Sequence, residues 1–371
     1  MCTSLALISG KGGSGKTTLG LALSELLAVC DKKVLLMDCD MSTHGATYFF
    51  EPYLKEKSNI ITTKELLFSS QNEDILVYKK ELDVQKNISF VPSCVEFPSK
   101  YYENPNIQLN QYAYEQLKKK YDVIIFDCQA GFSFIAERVT EISDIKLLVM
   151  ESDAVSTAAV RVLNTQLGNN LIDKTYQVFN KIDESEKKLY TELVFGTFYT
   201  NLTPILFDWS IKRAFGTNSL PDVDENNDTF TDNIYQLAAD LFPFYKKDLD
   251  QYLLHSKIKK KKLCEIAYEK KQRERKKVYM RKFYEDISMV ISIIAVFASI
   301  IVYFITVDLN DMNILLLSAV AVLICVLFLL YFVRNINNKK LYDSKRYDDL
   351  KNEIKCITDD IEKLRSRLKK M

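Results

Sequence analysis

Two lysines lie in a glycine-rich loop near the start of the chain, and their spacing fits phosphate chemistry. The loop matches the phosphate-binding pattern G-x-x-x-x-G-K-[ST] and reads Gly10-Lys11-Gly12-Gly13-Ser14-Gly15-Lys16-Thr17. Glycines let backbone N–H groups turn towards phosphate oxygens, and the N-terminus of a following helix adds its positive dipole end. We expect Lys16 to reach the β- and γ-phosphates and the Thr17 hydroxyl to bind Mg²⁺. The loop, together with Thr18, therefore predicts a binding site for a nucleoside triphosphate and Mg²⁺.

Two carboxylates that follow apolar runs complete the candidate site. Residues 34–38 are followed by Cys39 and Asp40, and residues 123–127 end in Asp127. A carboxylate at the C-terminal edge of a strand is well placed to orient water and metal-bound groups. Asp127 resembles the Walker B aspartate, which holds Mg²⁺, usually through a water molecule. We therefore expect Thr17 and Asp127 to form the metal site.

The other lysine of the loop, Lys11, indicates which family of phosphate-binding proteins the chain resembles. The segment from Lys11 to Thr17 resembles the deviant loop of the ParA/MinD family of ATPases, K-G-G-x-G-K-T. The resemblance implies that the nucleotide is ATP, and that Lys11 crosses the interface of an ATP-dependent homodimer to the partner's nucleotide, similar in role to an arginine finger. It further implies that Lys11, Lys16 and Asp40 are catalytic, with Asp40 positioning the attacking water. Asn180 stands where the family has an asparagine that contacts the adenine edge.

The resemblance covers about residues 2–242 and has two departures. Asp40 is followed by Met41-Ser42-Thr43-His44, where partitioning members of the family have P-Q-G-N. The family's P-A-G after the Walker B strand is replaced by Gln129-Ala130-Gly131. His44 is expected to be a hydrogen-bonded loop residue and not a metal ligand, because the second histidine of the chain, His255, is far away in sequence.

Buried strands that alternate with helices are the elements that must position these residues. Short apolar runs without polar alternation occur at residues 5–9, 34–38, 88–91, 123–127, 147–150, 176–180 and 204–207, and helical periodicity occurs at 17–29 and 233–241. Strands buried on both faces are typical of a parallel sheet that is covered by helices. The sequence therefore predicts a doubly wound, mainly parallel α/β domain over residues 1–245.

Charge is distributed unevenly along the chain. Residues 1–256 carry 25 basic and 35 acidic side chains, whereas residues 257–282 carry 13 basic and 3 acidic ones. Nucleic-acid binding needs a basic surface, so the acidic N-terminal domain argues against a nucleic-acid partner. We interpret residues 246–286 as a basic helical connector, and its charge as a signal for membrane topology and anionic lipid.

Two apolar segments follow the connector. Residues 287–307 and 313–333 are each 21 residues long and contain no charged side chain. At about 1.5 Å per residue, each segment is long enough to cross a hydrocarbon core of roughly 30 Å. The basic flanks place both termini in the cytoplasm. We expect a transmembrane hairpin that anchors the protein in the lipid bilayer of the cytoplasmic (inner) membrane; the alternative is a buried hairpin of a soluble protein.

The last segment, residues 334–371, has the pattern of a helix with one apolar seam. The residues at heptad positions a and d are Tyr347, Leu350, Ile354, Ile357, Ile361, Leu364, Leu368 and Met371. β-Branched residues at a and mostly leucine at d favour a parallel dimer. We expect a cytoplasmic coiled coil, with an amphipathic helix on the ATPase domain or on the membrane as the alternative.

Several functions are compatible with these features. The leading hypothesis is a membrane-anchored ATPase that dimerises on ATP and recruits, positions or releases a protein partner that the sequence does not name. A nucleotide-gated scaffold or effector with little turnover, in cell-surface assembly or phage defence, is the second. A tyrosine autokinase is the third, although such enzymes lack a lysine like Lys11. The fourth is an iron–sulfur reductase with Cys94 and Cys128 as ligands, but the eight cysteines form no C-x-x-C pair and indicate a reducing compartment.

Overall fold

One sheet organises the N-terminal part of the chain. The computed structural model describes residues 2–54, 59–68, 81–94, 110–171, 173–192, 199–217, 228–306 and 344–371. The strands of the sheet are β1 Thr3–Ile8, β2 Val34–Cys39, β3 Leu82–Gln85, β4 Ile88–Val91, β5 Val123–Cys128, β6 Ile145–Met150, β7 Thr175–Phe179 and β8 Thr200–Asn201. Their order across the sheet is β3-β4-β2-β5-β1-β6-β7-β8.

The sheet confirms the predicted fold class, with local differences. Six of the seven predicted apolar runs form strands, within two residues of the expected bounds. The seventh, residues 204–207, contributes only an isolated bridge between Leu206 and Ile182. β3 and β8 were not predicted, because β3 mixes polar with apolar residues and β8 has only two residues.

Parallel pairing brings the ends of the central strands to one edge of the sheet. β1 pairs with β5 and β6, β2 pairs with β4 and β5, and β7 pairs with β6 and β8, all in parallel, whereas β3 and β4 are antiparallel. All six residues of β2, β5 and β6 are buried. Asp38 in β2 is in register with Asp127 in β5. The loops that follow these strands therefore converge at the carboxyl edge.

Helices of the N-terminal part surround the sheet. They are α1 Lys16–Val29, α2 Gly45–Phe49, α3 Glu51–Leu54, α4 Thr63–Phe68, α5 Gln111–Lys120, α6 Phe134–Ile142, α7 Ala154–Leu167, α8 Lys187–Glu192, α9 Trp209–Gly216 and α10 Asp228–Leu241, with short 3-10 turns at Gly168–Leu171, Glu184–Glu186 and Pro243–Tyr245. The side chains of Asn110, Ser133 and Asp153 accept backbone N–H groups in the first turns of α5, α6 and α7. α1 is buried over most of its length, because it contacts β2, β5 and α10.

The chain divides into two compact units, Met1–Leu253 and Leu254–Met371. The N-terminal unit extends beyond residue 245, because the first residues of the next helix are bonded to it. Lys32 pairs with Asp248 at 2.5 Å, and the Tyr235 hydroxyl donates a hydrogen bond to Asp250, which is fully buried. The start of that helix is therefore part of the N-terminal unit.

That helix is α11, Lys246–Thr306, and it is continuous over 61 residues. It contains the basic connector and residues 287–306 of the first apolar segment. In the part of the chain that the structure describes, no helix is both long and apolar enough to cross a membrane. The transmembrane hairpin expected from the sequence is therefore not supported. The first segment continues a helix that is densely charged as far as Asp286, and the second, residues 313–333, lies outside the described residues.

The C-terminal segment is helical, as predicted, and forms α12, Ser344–Leu368. Asp360 pairs with Lys257 at 3.1 Å and Glu353 pairs with Lys260 at 3.4 Å, so α12 runs antiparallel to α11 within the second unit. Three residues of the predicted seam are buried in the single chain: Ile357, Ile361 and Leu364. A parallel two-chain coiled coil would have to replace this packing, and it stays a prediction.

Candidate functional site

The glycine-rich loop connects β1 to α1 at the carboxyl edge of the sheet. Gly13 and Gly15 have φ angles of 78° and 96°, which residues with a side chain rarely adopt. A Cβ at Gly10 would lie 2.5 Å from the carbonyl carbon of Ala159, and one at Gly15 would lie 2.2 Å from Nδ2 of Asn180. Around Gly12 and Gly13 the Cβ position is open. The loop is thus tightly packed at its two ends and open in its middle, which suits a phosphate cradle.

Lys16 is the buried cation of this loop. The residue is 7% exposed, and its Nζ donates a hydrogen bond to Oγ of Ser9 at 2.8 Å. Ser9 in turn donates to the carbonyl oxygen of Lys11 at 2.9 Å. An ammonium group has three N–H donors. Ser9 uses one of them and orients the side chain, and the predicted contact of Lys16 with phosphate stays a prediction.

Thr17 and Asp127, the two residues of the predicted metal site, are in contact. Thr17 Oγ1 donates a hydrogen bond to Oδ2 of Asp127 at 2.6 Å. The other oxygen, Oδ1, is buried and has no hydrogen-bond partner among the described residues. Burial raises the pKa of Asp127 to about 6, while the charge of Lys16 acts in the opposite direction. Hydroxyl and carboxylate oxygens are suitable ligands for Mg²⁺.

Asp38 anchors the loop that follows β2. It is fully buried and accepts hydrogen bonds from the amide of Asp40 at 2.9 Å, the amide of Thr47 at 2.8 Å and the hydroxyl of Thr47 at 2.6 Å. Burial and, second, the charge of Asp127 raise the pKa of Asp38 to about 7. Asp38 therefore links the predicted metal site to α2.

Asp40 lies in the same loop, and its carboxylate forms hydrogen bonds within that loop. It accepts hydrogen bonds from the amides of Ser42 at 3.0 Å and Thr43 at 2.7 Å. Its predicted task of positioning water stays a prediction. His44 is hydrogen bonded, as expected, because its Nδ1 lies 2.7 Å from Oγ of Ser93. The described residues contain no cluster of metal-ligating side chains around it.

Lys11 is bound by two carboxylates of its own chain. Its Nζ lies 3.0 Å from Oε2 of Glu151 and 2.9 Å from Oδ2 of Asp153. The Lys11 side chain is 35% exposed. The hydrogen bonds to Asp153 and Glu151 raise the pKa of Lys11, so the ammonium is charged. The two lysines of the loop are therefore in different environments, one buried and one at the surface.

Asn180 and Lys181, which follow β7, donate hydrogen bonds to the backbone of the glycine-rich loop. Asn180 is buried, and its Nδ2 donates a hydrogen bond to the carbonyl oxygen of Ser14 at 2.8 Å. The Nζ of Lys181 donates to the carbonyl oxygen of Gly13 and pairs with Glu151 at 2.7 Å. Asn180 was expected to contact adenine, and one of its two amide N–H donors is used by the loop backbone. The adenine contact stays a prediction.

Comparisons with known proteins agree with this geometry. A family model described as AAA domain matches residues 2–181. The chain is 27% identical over 200 residues to the virulence plasmid ParA family protein pGP5-D of Chlamydia psittaci, which covers 51% of this chain and 74% of that protein. It is 33% identical over 128 residues to the septum site-determining protein MinD of Synechocystis sp., which covers 34% of this chain and 45% of MinD.

A solved structure shares the fold of the N-terminal unit. It is a plasmid partition protein of Borrelia burgdorferi B31 bound to AMPPNP, with a TM-score of 0.51 and 22% identity, and the match covers 65% of this chain and 98% of that one. Residues 2–181 form a P-loop ATPase domain of the ParA/MinD type. The reaction of this domain is therefore the hydrolysis of ATP.

The residues of the ParA/MinD-type site fit MgATP. The open backbone at Gly12 and Gly13 can approach phosphate oxygens, and the buried ammonium of Lys16 supplies positive charge. The buried Oδ1 of Asp127 is free to accept a metal-bound water. The residues that would hold the phosphates run from Gly10 to Thr18, and Thr17 and Asp127 would hold Mg²⁺.

The sequence analysis missed four residues of the ParA/MinD-type site. Glu151 and Asp153 follow β6, and Lys181 follows β7, so all three lie at the carboxyl edge of the sheet. Charged residues directly after each buried run are a signal that could have found them. Ser9 ends the first apolar run and carries no charge, so nothing in the sequence distinguishes it from a turn residue.

Proposed function

We propose that this chain is a switch in which two copies close around ATP and separate after hydrolysis. The placement of Lys11 is the observation that carries the proposal. Lys16 already supplies a buried ammonium within the loop, whereas the Lys11 ammonium lies at the surface, bound by Glu151 and Asp153. A surface cation on this loop is available to a nucleotide that another copy binds, which is the role the family resemblance implies.

Each side chain of the site has a separate task in this proposal. The loop amides and Lys16 bind the phosphates, and Thr17 and Asp127 hold Mg²⁺, which supplies positive charge at the transferring phosphate. Asp40 orients the attacking water. Its Oδ1 accepts two amide hydrogen bonds, which hold the carboxylate within its own loop. We expect hydrolysis in the single chain to be slow, because the Lys11 of a second copy is missing.

The proposed output is the positioning of a protein partner. One relative is a septum site-determining protein and another is a plasmid ParA family protein, which supports a role in positioning or partition. Residues 1–256 carry 25 basic and 35 acidic side chains. This excess of acidic groups favours a protein over a nucleic acid as the partner.

The proposed location is the cytoplasmic face of the membrane, and the support for it is sequence alone. Residues 287–307 and 313–333 lack charged side chains and have basic flanks, which would place both termini in the cytoplasm. After cell fractionation, we expect the protein in the membrane pellet even after a high-salt wash. Recovery in the soluble fraction would refute the location without affecting the assignment of the ATPase.

A nucleotide-gated scaffold with little turnover is the second candidate. The bonded state of the Asp40 carboxylate favours it, because the described residue that is predicted to orient water is held by hydrogen bonds within its own loop. The rate of ATP hydrolysis distinguishes the switch from the scaffold. A scaffold would bind MgATP and dimerise but release no phosphate, with or without added partner, whereas a switch releases phosphate once it is dimeric.

Light scattering on purified full-length protein tests the switch. In Asp40→Ala, saturating MgATP should double the mass measured with MgADP, because Asp40 is needed for hydrolysis but not for closure. Lys11→Ala should lose hydrolysis and close less tightly. Lys119→Ala, which removes an exposed lysine outside the site, is the matched control. An Asp40→Ala protein that stays monomeric in both nucleotides would refute the switch, and a wild-type rate in Lys11→Ala would leave Lys11 without a role.

A further inference from the structure

Glu151 is shared by two lysines that have different neighbours. Its Oε2 lies 3.0 Å from Nζ of Lys11, and its Oε1 lies 2.7 Å from Nζ of Lys181. The Glu151 side chain is 23% exposed, less than that of either lysine. Leaving a partly buried carboxylate without its cation costs free energy. The pairing of Glu151 with Lys181 therefore determines how easily Lys11 can leave Glu151.

Asp153, the other partner of Lys11, is held differently. Its Oδ1 accepts a hydrogen bond from the amide of Ser156 at 2.7 Å, and its Oδ2 accepts one from the hydroxyl of Ser156 at 3.2 Å. Asp153 is therefore the N-cap of α7 and stays bonded when Lys11 departs. Its position does not depend on the glycine-rich loop in the way that the position of Glu151 does.

Lys181 connects Glu151 to the loop backbone. Its Nζ donates a hydrogen bond to the carbonyl oxygen of Gly13, next to the Ser14 carbonyl that Asn180 holds. Gly13 has a positive φ angle and lies in the open part of the loop. A bound phosphate would contact the backbone in this open part of the loop. Lys181 and the nucleotide would therefore bind to the same stretch of backbone.

We propose that Lys181 is a positioning residue that keeps Glu151 paired when Lys11 transfers from Glu151 to the nucleotide of a second copy. The inference rests on the proposed switch and deepens it. Without Lys181, release of Lys11 would leave the Glu151 carboxylate with no ion-pair partner among the residues that the structure describes. With Lys181 present, Glu151 keeps one of its two lysine partners, so the transfer of Lys11 costs less free energy.

A zero-length carbodiimide cross-linker tests the exchange directly, because it joins a lysine amine only to a carboxylate in contact with it. In nucleotide-free full-length protein, peptide mapping should find both the Lys11–Glu151 and the Lys181–Glu151 link. In Asp40→Ala with saturating MgATP, the first link should be lost and the second retained. Persistence of the Lys11–Glu151 link in a sample that light scattering shows to be dimeric would overturn the inference while leaving the switch intact.

Substitutions provide a second readout, the protein concentration at which half of the ATP-bound chains are dimeric. In the Asp40→Ala background, Glu151→Gln should lower this concentration by about fivefold, the effect expected for one partly exposed ion pair. Lys181→Ala should raise it, Lys181→Arg should restore it, and Glu151→Gln combined with Lys181→Ala should behave like Glu151→Gln alone.

MgATP affinity, measured on the same variants, separates positioning from damage to the loop. We expect the dimer midpoint to move in opposite directions in Lys181→Ala and Glu151→Gln, whereas damage to the loop would weaken MgATP binding and raise the midpoint in both variants. An unchanged or higher midpoint in Glu151→Gln, or a midpoint in Lys181→Ala as low as in Glu151→Gln, overturns the inference. Failure of the parent to dimerise at all would instead refute the proposed switch.

Discussion

The hydroxyl of Thr17 donates a 2.6 Å hydrogen bond to Asp127, although the two residues are 110 positions apart in the chain. Thr17 lies in the first turn of α1 and Asp127 near the end of β5, and the neighbouring positions of β1 and β5 in the sheet bring them together. The same two groups are expected to hold Mg²⁺. The Thr17 hydroxyl oxygen keeps its lone pairs for the metal while it donates this bond, and Oδ1 of Asp127 faces the same site.

Magnesium should bind less well as the pH falls below about 7. Burial raises the pKa of Asp127 to about 6 and that of Asp38 to about 7. Protons compete with Mg²⁺ for a carboxylate, so the metal effect is complete above these raised pKa values and is lost as the pH falls through them. The measurement is the ratio of ADP affinities with Mg²⁺ and with EDTA between about pH 8 and about pH 5.5. A ratio that is constant over this range would contradict the assignment.

Lys16→Ala should abolish nucleotide binding. Lys16 is the buried ammonium of the loop, and its loss removes a charge-assisted contact to phosphate worth about 2–3 kcal/mol, or at least about 30-fold in affinity. Titration with a fluorescent ATP analogue measures the effect. Lys11→Ala is the matched control, because it removes a lysine from the same loop and should retain most of the affinity of a single chain. Equal losses in both variants would show that the loop, and not Lys16, is damaged.

Asn180→Ala should weaken ATP and GTP binding to the same extent. Its Nδ2 donates to the Ser14 carbonyl, so the substitution leaves a buried carbonyl group unsatisfied and loosens the loop, at a cost of about 1–3 kcal/mol. ATP and GTP carry the same phosphates, so both should lose the same amount of binding free energy. Competition titrations with the two nucleotides provide the readout. A loss confined to ATP would instead support the adenine contact expected from the family.

Gly10→Ala should destabilise the protein, and Gly12→Ala should not. A Cβ at Gly10 would meet the carbonyl carbon of Ala159 at 2.5 Å, whereas the Cβ position at Gly12 is open. Overpacking against backbone of this kind costs about 1–3 kcal/mol. Thermal unfolding of both variants without nucleotide measures the difference. Similar melting temperatures would show that β1 and α7 are less closely packed than this structure describes.

The residues that a local pattern defines were predicted well. The phosphate-binding loop, the two apolar runs that precede Asp38 and Asp127, and the helix after Lys16 are all recognisable from a few neighbouring residues, because backbone geometry and burial act over that range. Strands with little local signal were missed, as β3 and β8 show. The tail helix was predicted from its heptads, but heptads cannot say whether the partner helix belongs to the same chain or to another.

By itself, therefore, the amino-acid sequence determined the chemistry of the loop, the type of the main elements and the identity of Lys16, Thr17 and Asp127 as candidate ligands. Only the tertiary structure decided which distant groups these residues meet. Lys11 pairs with Glu151, 140 positions away, and Glu151 with Lys181, because β6 lies between β1 and β7 in the sheet. Such pairs depend on the order of strands, which arises from packing of the whole sheet and leaves no trace in residue spacing.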